Sequence, residues 1–240
     1  KAISPEDVRK ARDELNNEAR FQSEYMCSFK TPVEGSYYGS YISRAYKDKR
    51  VLDDLSPDPI LPVHTAWDLG MNDATTIWFF QLFKNEVRLV YFYENSGEGL
   101  PHYARELNRY AVQKDIMYGK HYAPHDIKVR ELGTGKSRLE IARSMGLKFT
   151  TVRKLPIIDG IDAVRALLPR CWFSKASCAR GLECLKGYHK EWDSAKQVFR
   201  KTPVHDSHSH GADAFRTMAI GLKTPKLDKK KSKYEYDVAA

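Results

Sequence analysis

Three aspartates stand where a carboxylate has chemical consequences. Asp68 ends the short apolar run 63–68 and is followed by Leu69-Gly70. A carboxylate in an apolar strand is costly unless it is paired or bound to metal. Asp126 follows Pro124-His125, just beyond the apolar end of a second predicted strand, and Asp213 lies between Ala212 and Ala214 in the first turn of a predicted helix. Singly, each has an ordinary reading: a turn after a strand, a helix cap, a first-turn acid favoured by the helix dipole. Their order points further. Strand ends and helix starts on one side of an α/β sheet are where ligand clefts form. Carboxylates converging there repel one another unless a divalent cation lies between them, and carboxylate oxygen suits Mg²⁺ or Mn²⁺. Two such ions about 3.5–4 Å apart can activate a water and stabilise the leaving oxygen in phosphodiester hydrolysis.

Two other segments carry chemistry. His205, His208 and His210 fall within six residues, but their spacing is not the helical i, i+4 pattern of zinc proteases and no cysteine pair lies nearby. That argues against a dedicated zinc site. The loop is expected to cap the following helix and to place His210 beside Asp213. The segment 128–154 holds eight Lys/Arg (among them Lys128, Arg130, Lys136, Arg138 and Arg143) against two Glu, a surplus of six. An ordinary solvated face is the simpler explanation. Starting straight after Asp126, the run would instead flank the cleft and hold phosphates without reading sequence. Gly133-Thr134-Gly135-Lys136-Ser137 has only the end of a nucleotide-binding loop: Arg130 stands where the first glycine belongs. A backbone nest for a DNA phosphate fits better.

The elements that must position these groups can be read from periodicity. Helices are predicted over 4–25, 101–113 (with Tyr103, Leu107 and Tyr110 on one face), 137–145 (stopped by Gly146), 162–168, 177–192 and 211–222. Strands are predicted over 63–68, 75–83, 86–94, 116–123 and 148–152, with Lys84-Asn85 as a hairpin turn. Residues 26–62, rich in Tyr and broken by Gly35, Gly39, Pro57, Pro59 and Pro62, read as an irregular connector with exposed tyrosines. A meander followed by alternating strand and helix implies an α/β fold, a central mixed β-sheet flanked by helices. No internal repeat is found. The lysine-rich residues 223–240 read as a flexible tail.

Composition bounds the rest. The 240 residues suffice for one domain with an appendage, and 42% hydrophobic with 30% charged residues allows a buried core. The formal net charge of +9 permits a polyanionic partner such as nucleic acid. No apolar run approaches the ~18–20 residues of a membrane helix, and Lys1-Ala2-Ile3-Ser4-Pro5 has no apolar signal-peptide core. Cys27, Cys171, Cys178 and Cys184 have neither zinc-knuckle nor disulfide-framework spacing, so reduced, mostly buried thiols and a cytosolic setting are expected. The first residue is Lys1 rather than Met, suggesting a piece of something longer.

Several blocks in order resemble the C-terminal nuclease domain of the large terminase subunit of tailed bacteriophages. They are FQSEYMCSF (21–29), GSYYG (35–39), HTAWDLGMNDATTIWFFQ (64–81), YAPHD (122–126), LGTGKSRLEIARSMG (132–146), DGIDAVRALLPRCWF (159–173) and HDSHSHGADAFRTMA (205–219). The resemblance implies an RNase H-like fold over 63–222 that cuts concatemeric viral DNA with two divalent metals. It implies Asp68, Asp126 and Asp213 as metal ligands, with Asp73 and Glu94 as helper candidates. Residues 1–62 are similar to the end of the family's ATPase motor and its linker, whose phosphate-binding loop is absent from this sequence. The implied partners are double-stranded DNA, the ATPase domain, the portal protein and the small terminase subunit, in the cytoplasm of an infected bacterial host. Two other readings stay open: a portal-docking module whose cleavage is dormant, and another RNase H-like enzyme such as a junction resolvase or transposase core.

Overall fold

In the computed structural model, residues 34–70, 73–130, 135–193 and 196–223 are described. The predicted helix 4–25, Cys27 and nearly all of the lysine-rich tail lie outside these residues. The sheet grows from the most strongly patterned segment. Thr75–Phe83 (β3) and Glu86–Asn95 (β4) are β-branched and aromatic, and pair antiparallel from Phe83↔Glu86 to Thr75↔Asn95. Lys84 takes the turn with φ 52°. Val63–Asp68 (β2) pairs antiparallel with the other edge of β3. Tyr118–Ala123 (β5) and Phe149–Thr151 (β6) then add in parallel beyond β2. On the far side Cys171–Ser174 (β7) and Val51–Leu52 (β1) add in parallel to β4. The order is β1-β7-β4-β3-β2-β5-β6, and only β3 runs against the rest. Asp68, the exit of β5 and Glu94 therefore all lie at one edge.

The sheet is covered on both faces, which explains why β3 is almost continuously apolar. Alternate residues serve separate cores. Trp78, Phe80, Leu89 and Phe92 pack with helices Gly39–Lys47 (α1), Ile157–Leu167 (α4), Ala179–Gly187 (α5) and Ser209–Lys223 (α6). Trp67, Ile77, Phe79 and Val90 pack with Leu100–Lys114 (α2) and Arg138–Ser144 (α3). The predicted face of α2 is the buried one: Tyr103, Leu107 and Tyr110. Helix α3 starts with a capping box between Ser137 and Glu140. Gly146, at φ +82°, follows its end.

The structure corrects several expectations. Residues 39–47 form α1 rather than irregular connector, because Tyr38, Ile42 and Ala45 give it a side to bury. Tyr37 and Tyr38 are in the core, not exposed, and stack around Tyr188. The helix predicted to Trp192 ends at Gly187, where Lys190–Asp193 (β8) begins a hairpin with Val198–Pro203 (β9). Cys171, Cys178 and Cys184 are free and buried, as expected. Among the described residues, no helix is long and apolar enough to cross a membrane.

Candidate active site

The edge at the end of β2 is built by bonds from β3 to α6. Thr76 Oγ1 donates to the His210 carbonyl at 2.9 Å and Trp78 Nε1 to the Gly211 carbonyl at 2.8 Å. Both tie the first turn of α6 to the sheet. Gly211 also lets α6 pack closely on α5, since a Cβ there would stand 2.7 Å from Cys184 Sγ. Thr76 is also the register partner of Asp68 on one side and of Glu94 on the other. The anchored helix thus delivers His210 and Asp213 beside Asp68. His210 Nδ1 lies 3.2 Å from Asp68 Oδ2, with side chains 13% and 26% exposed. Hydrogen bonding to the Asp68 carboxylate raises the His210 imidazole above its ordinary value, against the opposing effect of burial.

Asp213 is held from behind. Arg216, one turn on, lies 3.1 Å from Asp213 Oδ1, and Tyr188 donates its hydroxyl to the same oxygen at 3.5 Å. Desolvation pushes the Asp213 carboxyl up to about 6; Arg216 opposes the rise, and the neighbouring charge of Asp68 adds to it. Two carboxylates crowded at a partly desolvated edge make a set of hard oxygen donors that a divalent cation would relieve of repulsion.

Asp126 occupies the one-turn 3₁₀ helix His125–Lys128 that follows β5. This is the same sheet edge, one strand from Asp68, and its side chain is exposed. The three aspartates share that edge. Yet among the described residues the group whose ligand atoms all come within 4.8 Å is Asp73, His205 and His210. Asp73 faces His205, with Oδ2 3.9 Å from Nε2. Glu94 is engaged by Arg180 at 2.7 Å, and Arg180 also donates to the Ser207 carbonyl.

Of the basic positions, Lys128, Arg130, Lys136 and Arg143 are exposed around the start and far side of α3. Arg138 instead donates to the Leu69 carbonyl at 2.9 Å, tying α3 to the loop after Asp68. Gly133 and Thr134 of the suggested phosphate nest lie outside the described residues; Gly135 has φ +65°. Sequence reasoning missed Arg216, Tyr188 and Arg180. Only Arg216 left a signal, its i, i+3 spacing from Asp213. The other two reach the edge from α5 and its C-terminal end through tertiary packing.

A mixed sheet with helices on both faces is the RNase H-like fold of phage terminase nuclease domains. No family model matches the chain, and no curated protein does. Solved structures do. The large terminase of a thermophilic bacteriophage superposes with TM-score 0.59 at 17% identity, covering 92% of this chain and 53% of that one. The nuclease domain of the P22 large terminase gives 0.51 at 16% identity, over 72% of this chain and 88% of that domain. The large terminase nuclease of the thermophilic phage G20c with bound magnesium gives 0.51 at 12% identity, over 78% and 98%. The chain spans about half the length of the full large terminase that it matches, 53%. At these identities the likeness establishes the fold.

Proposed function

We propose that this chain is the metal-dependent DNA endonuclease domain of a viral DNA-packaging terminase, cutting concatemeric double-stranded DNA into genome units. This reading rests on Asp213 lying near enough to Asp68 at the edge of an RNase H-like sheet for their charges to interact, with Asp126 leaving the adjacent strand at the same edge. The donors fit Mg²⁺ or Mn²⁺: they are oxygens, and Asp213, raised chiefly by desolvation with the Asp68 charge adding to it, is a carboxylate whose charged form a cation would favour. The G20c nuclease with bound magnesium supports the same ligand class. A pair of such ions, when bound, supplies an activated water and stabilises the leaving oxygen of a phosphodiester.

The chain's own residues have separable tasks. Asp68 would be the shared ligand, with Asp126 and Asp213 each completing one site. Arg216 and Tyr188 fix Asp213 through Oδ1. Arg138 holds the loop that follows Asp68. Lys128, Arg130, Lys136 and Arg143 would hold the DNA backbone. In this reading, residues 1–62 bring the end of the ATPase region and its linker, and 223–240 a flexible tail. The missing ATPase domain, the portal protein and the small terminase subunit are the partners, in the cytoplasm of an infected bacterium.

Plasmid cleavage in Mg²⁺ or Mn²⁺ tests the proposal. Asp68→Ala is expected to reduce nicking and linearisation to background while the fold is retained by circular dichroism. Full activity in that variant would sink the mechanism. Cleavage confined to branched junctions would favour a resolvase, and strand joining a transposase.

A further inference from the structure

The histidine loop before α6 carries donors that the carboxylate edge does not require. Its three histidines do not act together. His208 is turned aside: its backbone N–H and its ring both engage Asp206, at 2.9 and 3.2 Å, and it packs so closely on Gly187 that a Cβ there would lie 2.4 Å from the ring. His205 and His210 instead meet edge to face, with ring centroids 5.1 Å apart. Asp73 arrives from the far loop that follows Asp68. One ligand atom from each of Asp73, His205 and His210 lies within 4.8 Å of the others. Ligands bound at about 2.0–2.2 Å from an ion can be separated by at most about 4.4 Å, so a small closure of two exposed side chains suffices. Asp73 is 63% and His205 71% exposed, which gives both freedom to close and an entry path.

The imidazoles are also oriented as metal ligands usually are. His205 Nδ1 is 3.1 Å from Ser209 Oγ, and His210 Nδ1 is 3.2 Å from Asp68 Oδ2. A ligating histidine nearly always has its second nitrogen held by a hydroxyl, carbonyl or carboxylate in this way. In each ring Nε2 is then the nitrogen left for an ion.

We infer that Asp73, His205 and His210 form a site for a borderline divalent ion of the zinc, cobalt or nickel kind, separate from the all-carboxylate centre. Two imidazoles and one carboxylate suit such ions, whereas Mg²⁺ prefers oxygen and keeps its water. A bound ion would clamp the loop after β2 to the loop before α6, and His210 would link the clamp to Asp68.

The test is calorimetric titration of the chain with Zn²⁺ in a large excess of Mg²⁺, without DNA, so its outcome does not depend on nuclease activity. One Zn²⁺ per chain is expected, with affinity falling more than about tenfold in His205→Ala. His208→Ala should bind as the unaltered protein does. Replacing Zn²⁺ by Co²⁺ should give a visible d–d absorption that His205→Ala loses. Equal Zn²⁺ binding by the unaltered protein and His205→Ala, or Zn²⁺ binding abolished by Mg²⁺, would overturn the inference. Mg²⁺-dependent cleavage by His205→Ala, measured separately, reports on the nuclease reading alone.

Discussion

Burial moves Asp213 and His121 in ways that both disfavour the charged form, but only one of them sits where charge is useful. His121, on β5, is pushed down to about 4 by desolvation, with the nearby His64 adding to the effect. Its Nδ1 lies 2.7 Å from Thr65 Oγ1, which itself accepts from Trp67 Nε1, a contact that a neutral imidazole satisfies in either tautomer. The sign of the pH effect follows. Below the ordinary value of about 6.5 the unfolded chain takes up a proton that the folded chain refuses. Stability from this group is present above that value and is lost as pH falls towards 4. Between pH 7 and 5 the loss is about 2 kcal/mol. Asp213 and His210, both raised, gain stability over the same interval, so the His121 contribution is read as a difference: urea unfolding at both pH values should find His121→Gln losing about 2 kcal/mol less than the unaltered protein. His64, also lowered by burial, keeps a residual slope in the variant. An unchanged pH dependence in the variant would refute the assignment. None of this was legible in the sequence, where His121 is one histidine in a short run. That Asp68 ends a strand was legible because a carboxylate ending an apolar run is conspicuous, whereas a histidine's neighbours across strands are not.

At the scale of elements, legibility followed how much local pattern each segment carries. Helix α2 repeats its apolar residues at helical spacing and β3 and β4 are dense in aromatic and β-branched residues, so their faces and register could be anticipated. Strands β1 and β7 are two and four residues long and exist because the sheet offers them a partner. The β8–β9 hairpin is polar and largely exposed, with no apolar alternation to announce it. The consequence for the site lies in a helix crossing. At Gly160 on α4 a Cβ would stand 2.5 Å from Arg216 Cδ and 2.8 Å from Cγ. The clash is with the stem of the side chain, not its flexible end, so Arg216 must shift and Asp213 loses its anchor. Gly160→Ala should cost about 1–3 kcal/mol in stability, as overpacking does. Cleavage should fall further than the unfolded fraction explains, measured at a temperature where the variant is folded. Cleavage matching the unaltered protein would show that Arg216 does not position Asp213. Ser137→Ala is the companion test on α3. Loss of the capping box should cost about 1 kcal/mol in a thermal or urea unfolding measurement.

Over the whole molecule, the charge of +9 is unevenly placed. Residues 128–154 carry a surplus of six and 223–233 a surplus of five, so nine less both leaves the remainder at minus two. Those two negative charges are Glu235 and Asp237 of the tail, so the acids of the site belong to a body of no net charge bordered by one basic segment, and that segment is joined to the Asp68 loop through Arg138. A duplex held by Lys128, Arg130, Lys136 and Arg143 would release condensed counterions on binding. Each phosphate contact adds about 0.9 to the slope of log affinity against log salt. Replacing these four by Gln should flatten the slope by up to about 3.6 and weaken binding similarly for unrelated DNA sequences, since phosphate contacts carry no base information. Because the replaced groups are exposed and the metal-ligand candidates are untouched, cleavage at saturating DNA should be retained while the DNA concentration needed rises. Filter binding across a salt series, with cleavage at low and saturating DNA, separates the outcomes. If the slope is unchanged, the basic segment is an ordinary solvated face and the duplex approaches from elsewhere. If the slope falls but saturated cleavage falls equally, the segment acts on the metal centre rather than on the DNA.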